Sequence, residues 1–134
     1  MNKHTAIRTA VLDALRASID DPSVTFFDGR PGFLDVTDLP AVAVYLTDSE
    51  STGEYIDGDH WRSVLHVEVF LKAKSPDSAL DEWMENKIYP VMGDIPLLYE
   101  QVESISPLGY DYRRDDEAVT WGSSDISYSL SYFK

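Results

Sequence analysis

Cysteine is absent from this 134-residue sequence, and basic residues are few. Without cysteine the chain forms neither disulfides nor thiolate metal sites, which is compatible with a reducing compartment. Eleven lysines and arginines face 24 aspartates and glutamates, for a formal net charge of −13. Such a surface repels nucleic-acid phosphates and anionic lipids, so we expect no specific DNA or RNA binding and no membrane attachment. The same charge opposes self-association unless ions or a partner offset it.

Long hydrophobic runs are also lacking. No apolar stretch approaches the ~20 residues of a membrane-spanning helix, and residues 1–5 are not followed by the apolar core of a signal peptide. We therefore expect the protein to remain in the cell that makes it. The length and the 43% hydrophobic content suit one domain, residues 1–134, with its own core.

Apolar periodicity predicts the elements of the fold. Helical spacing runs from Ile7 to Ile19, with Thr5 as the N-cap and Pro22 just beyond the end. A second helix is expected after Ser75 as N-cap and Pro76 as first helical residue, and Pro90 should end or kink it. Strands are predicted at residues 24–27, 41–47, 61–72, 102–105, around 110–112 and across 119–133, with turns or loops at 28–32, 48–60 and 115–117.

The order of these elements predicts the fold class. Helix, three strands, helix and two strands lack the repeated strand–helix alternation of a doubly wound sheet. We expect an α+β domain with a mixed, mainly antiparallel sheet and two helices packed on one face. Residues 41–47 have two apolar faces, so that strand should be central. In residues 126–132, apolar residues alternate with serines, which predicts one buried face and one small polar face.

Recognisable catalytic or metal-binding motifs are missing. His66 and Glu68 lie two residues apart on one face of a predicted strand, and a polar pair on the sheet surface is favoured over a general base with its orienting group. His4 is expected near a mobile terminus. The acidic residues do not follow a calcium-loop pattern, so no dedicated metal site is expected. At most weak magnesium screening is expected at an acidic cluster made of Asp111, Asp115, Asp116 and Glu117.

A segment near the C-terminus combines aromatic residues with both signs of charge. Tyrosine and arginine are common anchors of protein–protein contacts, and arginine can bind a neighbour's carboxylate through two hydrogen bonds. We expect this segment to adopt loop geometry. The candidate residues for a subunit or tube interface are Arg30, Tyr110, Tyr112, Arg113, Arg114, Asp115 and Asp116.

Several sequence blocks resemble the tail terminator family of lambda-like phages, also called minor tail protein U. These blocks are AVLDAL at 10–15, FFDGRP at 26–31, PAVAVYLT at 40–47, VEVFL at 67–71, IYPVM at 88–92 and GYDYRRDD at 109–116. They occur in order over almost the whole chain. No single block is a mechanistic motif, but together they are specific.

The resemblance implies a non-enzymatic virion protein, assembled in the host cytoplasm. Six copies would form a ring on the head-proximal end of a long, non-contractile tail tube. The ring would stop the addition of major tail tube protein and then offer the surface that joins the tail to the head through a head-completion protein. The family also implies a monomer when free, with magnesium favouring the ring. DNA would pass through the ring without specific binding.

Three other readings stay open from the sequence. One is a head-completion or connector ring protein, which would bind portal-side partners instead of tube ends. Another is a small acidic binding protein that mimics nucleic acid and stays monomeric with magnesium. The last is an enzyme that uses His66 and Glu68.

Overall fold

Five strands and four α-helices make up the computed structural model, which describes residues 2–53, 59–116 and 118–134. The helices are α1 (Lys3–Ile19), α2 (Asp77–Trp83), α3 (Tyr89–Met92) and α4 (Pro96–Gln101), with a π-helical turn at Met84–Ile88 and a 3-10 turn at Val36–Asp38. The strands are β1 (Thr25–Asp28), β2 (Ala41–Ser51), β3 (His60–Lys72), β4 (Ser104–Arg114) and β5 (Trp121–Phe133).

The strands form one sheet in the order β1-β2-β3-β5-β4. Strand β1 runs parallel to β2, whereas the other neighbouring pairs are antiparallel. The expected α+β class and the mixed, mainly antiparallel sheet are therefore confirmed. Strands β2 and β3 lie inside the sheet, and β1 and β4 form its two edges.

The main core lies between the helices and one face of the sheet, called here the helix face. Alternation sends the apolar residues of β2, β3 and β5 to this face, where they pack against α1, the π-helical turn and α4. The largest fully buried members include Ile7, Leu15, Leu65, Met84, Ile88, Leu98, Ile126, Leu130 and Tyr132.

The opposite face of the sheet is covered only in part. The segment between β1 and β2 folds back over it and buries Leu34 and Leu39 against the small residues of β2 and against Phe70. Burial of both faces of β2 confirms the interior position predicted for residues 41–47. The rest of this face is polar and carries two of the candidate assembly residues, Arg30 and Arg113, so it is called here the polar face.

Helix boundaries depart from the sequence expectations in small ways. The N-cap of α1 is Asn2, whose side chain accepts a hydrogen bond from the Thr5 amide at 2.8 Å; Thr5 is therefore inside the helix. Helix α2 begins at Asp77 with Pro76 at the cap position and no side-chain cap, one residue later than predicted. His4 lies in α1, and its Nε2 is 2.5 Å from the buried Tyr132 hydroxyl, so the expected mobility is wrong.

Pro90 does not end its helix. The π-helical turn at Met84–Ile88 leads into α3, which contains Pro90 and runs to Met92. A proline lacks the amide of a helical hydrogen bond and crowds the preceding turn, and the wider π turn accommodates both effects.

The region after α3 differs most from the sequence expectations. Helix α4 was not anticipated, because its six residues are too short for a periodic signal. The two pieces predicted near 102–105 and 110–112 form the single strand β4, and residues 121–133 form the single strand β5. Of the predicted 48–60 loop, residues 48–51 and 60 belong to strands and 54–58 lie outside the described residues; Glu117 of the predicted turn also lies outside them.

Candidate assembly surface along strand β4

Strand β4 contains most of the residues predicted for an interface and forms an open edge of the sheet. Tyr110 and Tyr112 lie within it, as the strand predicted around 110–112 implies. Arg113 and Arg114 also lie within it, so the loop geometry expected for them is wrong. The residues are extended because Ser104–Arg114 pairs with β5 along almost its whole length, and such pairing overrides local turn preferences. Asp115 and Asp116 follow the end of the strand.

On the polar face, Arg113 lies against a buried carboxylate. Glu68 is fully buried in β3, and its Oε1 accepts a hydrogen bond from the Tyr45 hydroxyl at 2.7 Å. Its Oε2 accepts another from the Ser123 hydroxyl at 2.6 Å. The guanidinium groups of Arg113 and Arg30 lie 3.4 and 3.7 Å from Oε1. A buried carboxylate needs such donors, since an isolated charge in an apolar interior is very unfavourable.

His66 belongs to the same network but does not pair with Glu68. Its Nδ1 lies 2.8 Å from Asp125 Oδ2, and its Nε2 lies 2.7 Å from the Thr47 hydroxyl. The imidazole stacks on Tyr45 with ring centroids 4.6 Å apart. The expected surface pair is therefore wrong: Glu68 is buried, and the carboxylate beside His66 comes from β5. Both ring nitrogens have a hydrogen-bond partner, and neither partner is Glu68.

A cleft of about 450 Å³ opens above this network and is lined by Arg30, Tyr45, Thr47, Asp48, His66 and Arg113. Arg113 also donates to Asp125 Oδ2 at 3.3 Å. Arg113 thus faces the buried carboxylates of both Glu68 and Asp125, and Arg30 faces Glu68. The geometry gives a surface patch in which opposite charges meet, and the predicted residues Arg30 and Arg113 are brought together on it.

On the helix face, the two predicted tyrosines meet at one carboxylate. The hydroxyls of Tyr110 and Tyr112 donate to Asp81 Oδ1 at 3.0 and 2.6 Å, and the rings contact each other edge to face. Arg114 pairs with Asp77 at 2.5 Å and also donates to the carbonyls of Ala73 and Ser75. These contacts bind the β4 edge to helix α2. Participation of the predicted residues in a subunit contact stays a prediction.

The acidic residues proposed for magnesium screening are spread along the end of β4. Asp111 is exposed and lies 3.8 Å from Arg113 Nη2. Asp115 accepts hydrogen bonds from the amides of Ala118 and Thr120 and so shapes the turn before β5. Asp116 is exposed. Among the described residues, no group of three or more histidine or acidic side chains is placed to hold a metal ion.

Buried tyrosines predict that the folded protein loses stability at alkaline pH. Burial raises the pKa of Tyr128 to about 12, with smaller contributions from Tyr89 and Tyr99, and burial followed by the charge of Glu68 raises the pKa of Tyr45. Because the pKa in the folded state lies above the unfolded value of about 10, the protonated tyrosines contribute their full stability below pH 10. This contribution is lost as the pH rises towards 12. We expect the urea midpoint of unfolding to fall across that window.

Tyr128→Phe is the matched control, since it keeps the ring and removes the ionisable group. It should reduce the dependence of the unfolding free energy on pH by up to about 1.4 kcal/mol per pH unit between pH 10 and 12. An unchanged slope would show that Tyr128 titrates normally in the folded state.

Local sequence patterns did not predict the acidic partners of Arg113, Arg114 and Tyr110. Asp125, Asp77 and Asp81 lie far from Arg113, Arg114 and Tyr110 in the sequence, and local patterns do not report such pairs. One signal was present: Glu68 lies inside the apolar run 67–71, and Asp125 interrupts a strand of apolar and small residues. A charged residue inside a buried strand requires a partner of opposite charge.

Comparison with known sequences and structures identifies the family. The sequence profile of phage minor tail protein U matches residues 2–132. The tail tube terminator protein of Escherichia phage lambda is 57% identical over 130 residues, covering 97% of this chain and 98% of that protein. The tail tube terminator protein of Escherichia phage N15 is 49% identical over 130 residues, with the same coverage.

A solved structure shares the fold. A chain from the virion of a native gene transfer agent particle superposes with a TM-score of 0.56 and 16% identity, over 95% of this chain and 94% of that one. Within the described residues, no helix is long and apolar enough to cross a membrane. Because the family profile and both relatives extend over nearly the whole sequence, the chain belongs to the phage minor tail protein U family.

Proposed function

We propose that this protein is a tail tube terminator, six copies of which close into a ring on the head-proximal end of the tail tube. The observation that carries the proposal is the 57% identity, over 97% of the chain, to a protein named tail tube terminator. Membership of a phage minor tail protein family makes the chain a structural component of the virion tail, and not an enzyme.

The proposed mechanism follows from how tubes grow. Each added ring of tube subunits exposes the surface that recruited it, so growth continues by a contact that does not close. A terminator binds this surface and exposes a different one. The capped end then meets the head-completion protein, and DNA passes through a ring whose acidic charge avoids binding its phosphates.

The edge of β4 supports a ring held by side-chain surfaces instead of a continuous sheet. An open edge strand invites pairing with another chain. Here the edge is interrupted by Pro107, which has no amide hydrogen, and by a bulge between Pro107 and Gly109. Both features blunt edge-to-edge association. Subunit contacts therefore depend on the side chains of the two faces.

Charge sets the conditions for assembly in this proposal. A hexamer carries six times the −13 of one chain, so free subunits repel one another. Divalent cations that screen exposed carboxylates such as Asp111 and Asp116 reduce the repulsion, and the tube end supplies a template. The protein is then a monomer when free and a ring with magnesium or on a tube.

Solution mass tests this assembly mechanism directly. With millimolar magnesium, light scattering on a sizing column should give six times the mass measured without it. Asp116→Asn removes one exposed charge per subunit and should lower the magnesium concentration needed for the ring. Asp116 suits this test better than Asp115, whose carboxylate holds its own turn.

Tube binding separates the proposal from its alternatives. Labelled protein should bind one end of purified tail tubes, and its omission from an assembly reaction should give overlong tubes. A head-completion ring would instead bind portal-side partners, and a small acidic binding protein would stay monomeric with magnesium and ignore tubes. Failure both to form a ring and to bind tube ends would overturn the proposed function.

A further inference from the structure

An apolar cleft lies where strand β3 leaves the sheet. It has a volume of about 670 Å³ and is lined by Val36, Lys72, Ala73, Lys74, Val119 and Thr120; these residues are called here the lysine cleft. Lys72 and Lys74 are exposed, and neither forms an ion pair within the parts of the chain that the structure describes. Two unpaired cations in a protein of net charge −13 make this cleft an unusual place on the surface.

Val119 in this cleft has an uncommon conformation. Its φ is +53°, in the left-handed region that branched side chains rarely adopt, and its side chain is 68% exposed. The turn held by Asp115, through the amides on either side of Val119, accounts for this φ. The same turn leaves the apolar side chain exposed beside the two lysines.

Two described acids near the cleft in the sequence are held by hydrogen bonds elsewhere. Asp38 accepts a hydrogen bond from the Asp35 amide at 3.0 Å, and Asp115 accepts two from the turn before β5. Neither carboxylate lines the cleft. Among the described residues, Lys72 and Lys74 are the charged ones that line the cleft.

A second surface, on the helix layer, has the opposite charge. Leu97 projects from α4 with 59% of its side chain exposed, beside a shallow apolar depression against α1. Asp13 and Asp94 border this depression, and both are exposed. Asp13 lies 3.7 Å from Arg16, whereas Asp94 forms no ion pair with another described residue. Leu97, with Asp94 beside it, is called here the leucine knob.

The two surfaces belong to different sides of the molecule. Val36 of the lysine cleft comes from the segment that covers part of the sheet face opposite the helices, whereas the leucine knob lies on the outer surface of the helices. The two share no residue. One copy can therefore use both surfaces at once, each with a different neighbour.

We propose that the lysine cleft is a docking surface for a second copy of this chain, which inserts its leucine knob. Leu97 fits an apolar cleft, and Asp94 of the incoming copy approaches Lys74. Because the two surfaces differ, the contact is head-to-tail and repeats until the ring closes. The inference rests on the proposed ring and names the surfaces that join its subunits.

A charge swap tests this pairing. Lys74→Glu and Asp94→Lys should each lose the ring at protein and magnesium concentrations where the parent forms it, because like charges then meet at every contact. A 1:1 mixture should regain the ring, since alternating copies restore opposite charges at both kinds of contact. Assembly by either variant alone, or an unassembled mixture beside an assembled parent, would overturn the choice of surfaces and leave the proposed function standing.

Val119→Asn separates assembly from folding. Asparagine tolerates a left-handed φ better than valine, so this variant should unfold at the same temperature as the parent or a higher one. It should nevertheless lose ring formation under the conditions used for the parent. Ring formation equal to that of the parent would count against a role for Val119.

Cysteine trapping tests the contact between the leucine knob and the lysine cleft even when no stable ring forms. The chain has no cysteine of its own. A mixture of Leu97→Cys with Val119→Cys should give a disulfide-linked mixed dimer under mild oxidation, well above the dimer formed by either variant alone. Mixed dimers no more abundant than the self-linked ones would overturn the docking proposal, whereas a parent that neither forms rings nor binds tubes would overturn the proposed function.

Discussion

Replacing Glu68 with alanine is expected to lower the free energy of unfolding by about 3 kcal/mol, the lower end of the range for removing one partner of a buried charge pair. Glu68 is fully buried and accepts hydrogen bonds from Tyr45 and Ser123. Its removal leaves both hydroxyl donors without a partner and takes one carboxylate from Arg113. The loss is not larger because Arg113 is 37% exposed and keeps Asp125. Urea unfolding followed by tryptophan fluorescence measures the change.

Two further variants control this prediction. Glu50→Ala removes a carboxylate that is 64% exposed and pairs with Arg62 at 3.3 Å, and it should change the unfolding free energy by less than about 0.5 kcal/mol. Glu68→Gln keeps the shape and can still accept from both hydroxyls, so its loss should be about 1 kcal/mol. Equal stability of Glu68→Ala and the parent would mean that the network adds nothing to folding.

Replacing Leu65 with alanine is expected to lower the free energy of unfolding by about 3 kcal/mol or slightly more. Leu65 is fully buried at the centre of β3, between Leu46 of β2 and Tyr128 of β5. The neighbours belong to paired strands and cannot close the space left by the side chain. At about 4 °C per kcal/mol for a chain of this length, the thermal midpoint should fall by about 12 °C.

Leu97→Ala is the matched control for the same chemical change at an exposed site. Leu97 is 59% exposed, so the unfolding free energy should stay within about 0.5 kcal/mol of the parent. The docking proposal adds that this variant should assemble poorly while folding normally. Similar losses of stability for Leu65→Ala and Leu97→Ala would contradict the assignment of the core to the helix face.

Much of the fold could be predicted because it follows from short-range patterns. The alternation of Ile126, Tyr128, Leu130 and Tyr132 with serines identified the buried face of β5, and the two apolar faces of residues 41–47 identified an interior strand. Helix α4 escaped notice because it is short and its stability comes from docking Leu98 into the core. Tertiary packing of this kind leaves little periodic signal.

The site was harder to predict than the fold. The sequence singled out Arg113 and Arg114 as cations available to a neighbour, and the structure places both against carboxylates of their own chain. Adjacent residues of a strand point to opposite faces, so one arginine reaches Glu68 and the other reaches Asp77. The lysine cleft was also unforeseen, since its lining comes from three separate stretches of the chain.

The sequence by itself determined the acidic charge, the absence of cysteine chemistry, the α+β class and the family resemblance, because composition and local periodicity carry that information. Only the tertiary structure decided which charges are paired and which are free. Strand β5 lies between β3 and β4, and this order brings Glu68, Asp125 and Arg113 together from three strands. The partner of a charged side chain depends on such long-range strand order, which no local pattern encodes.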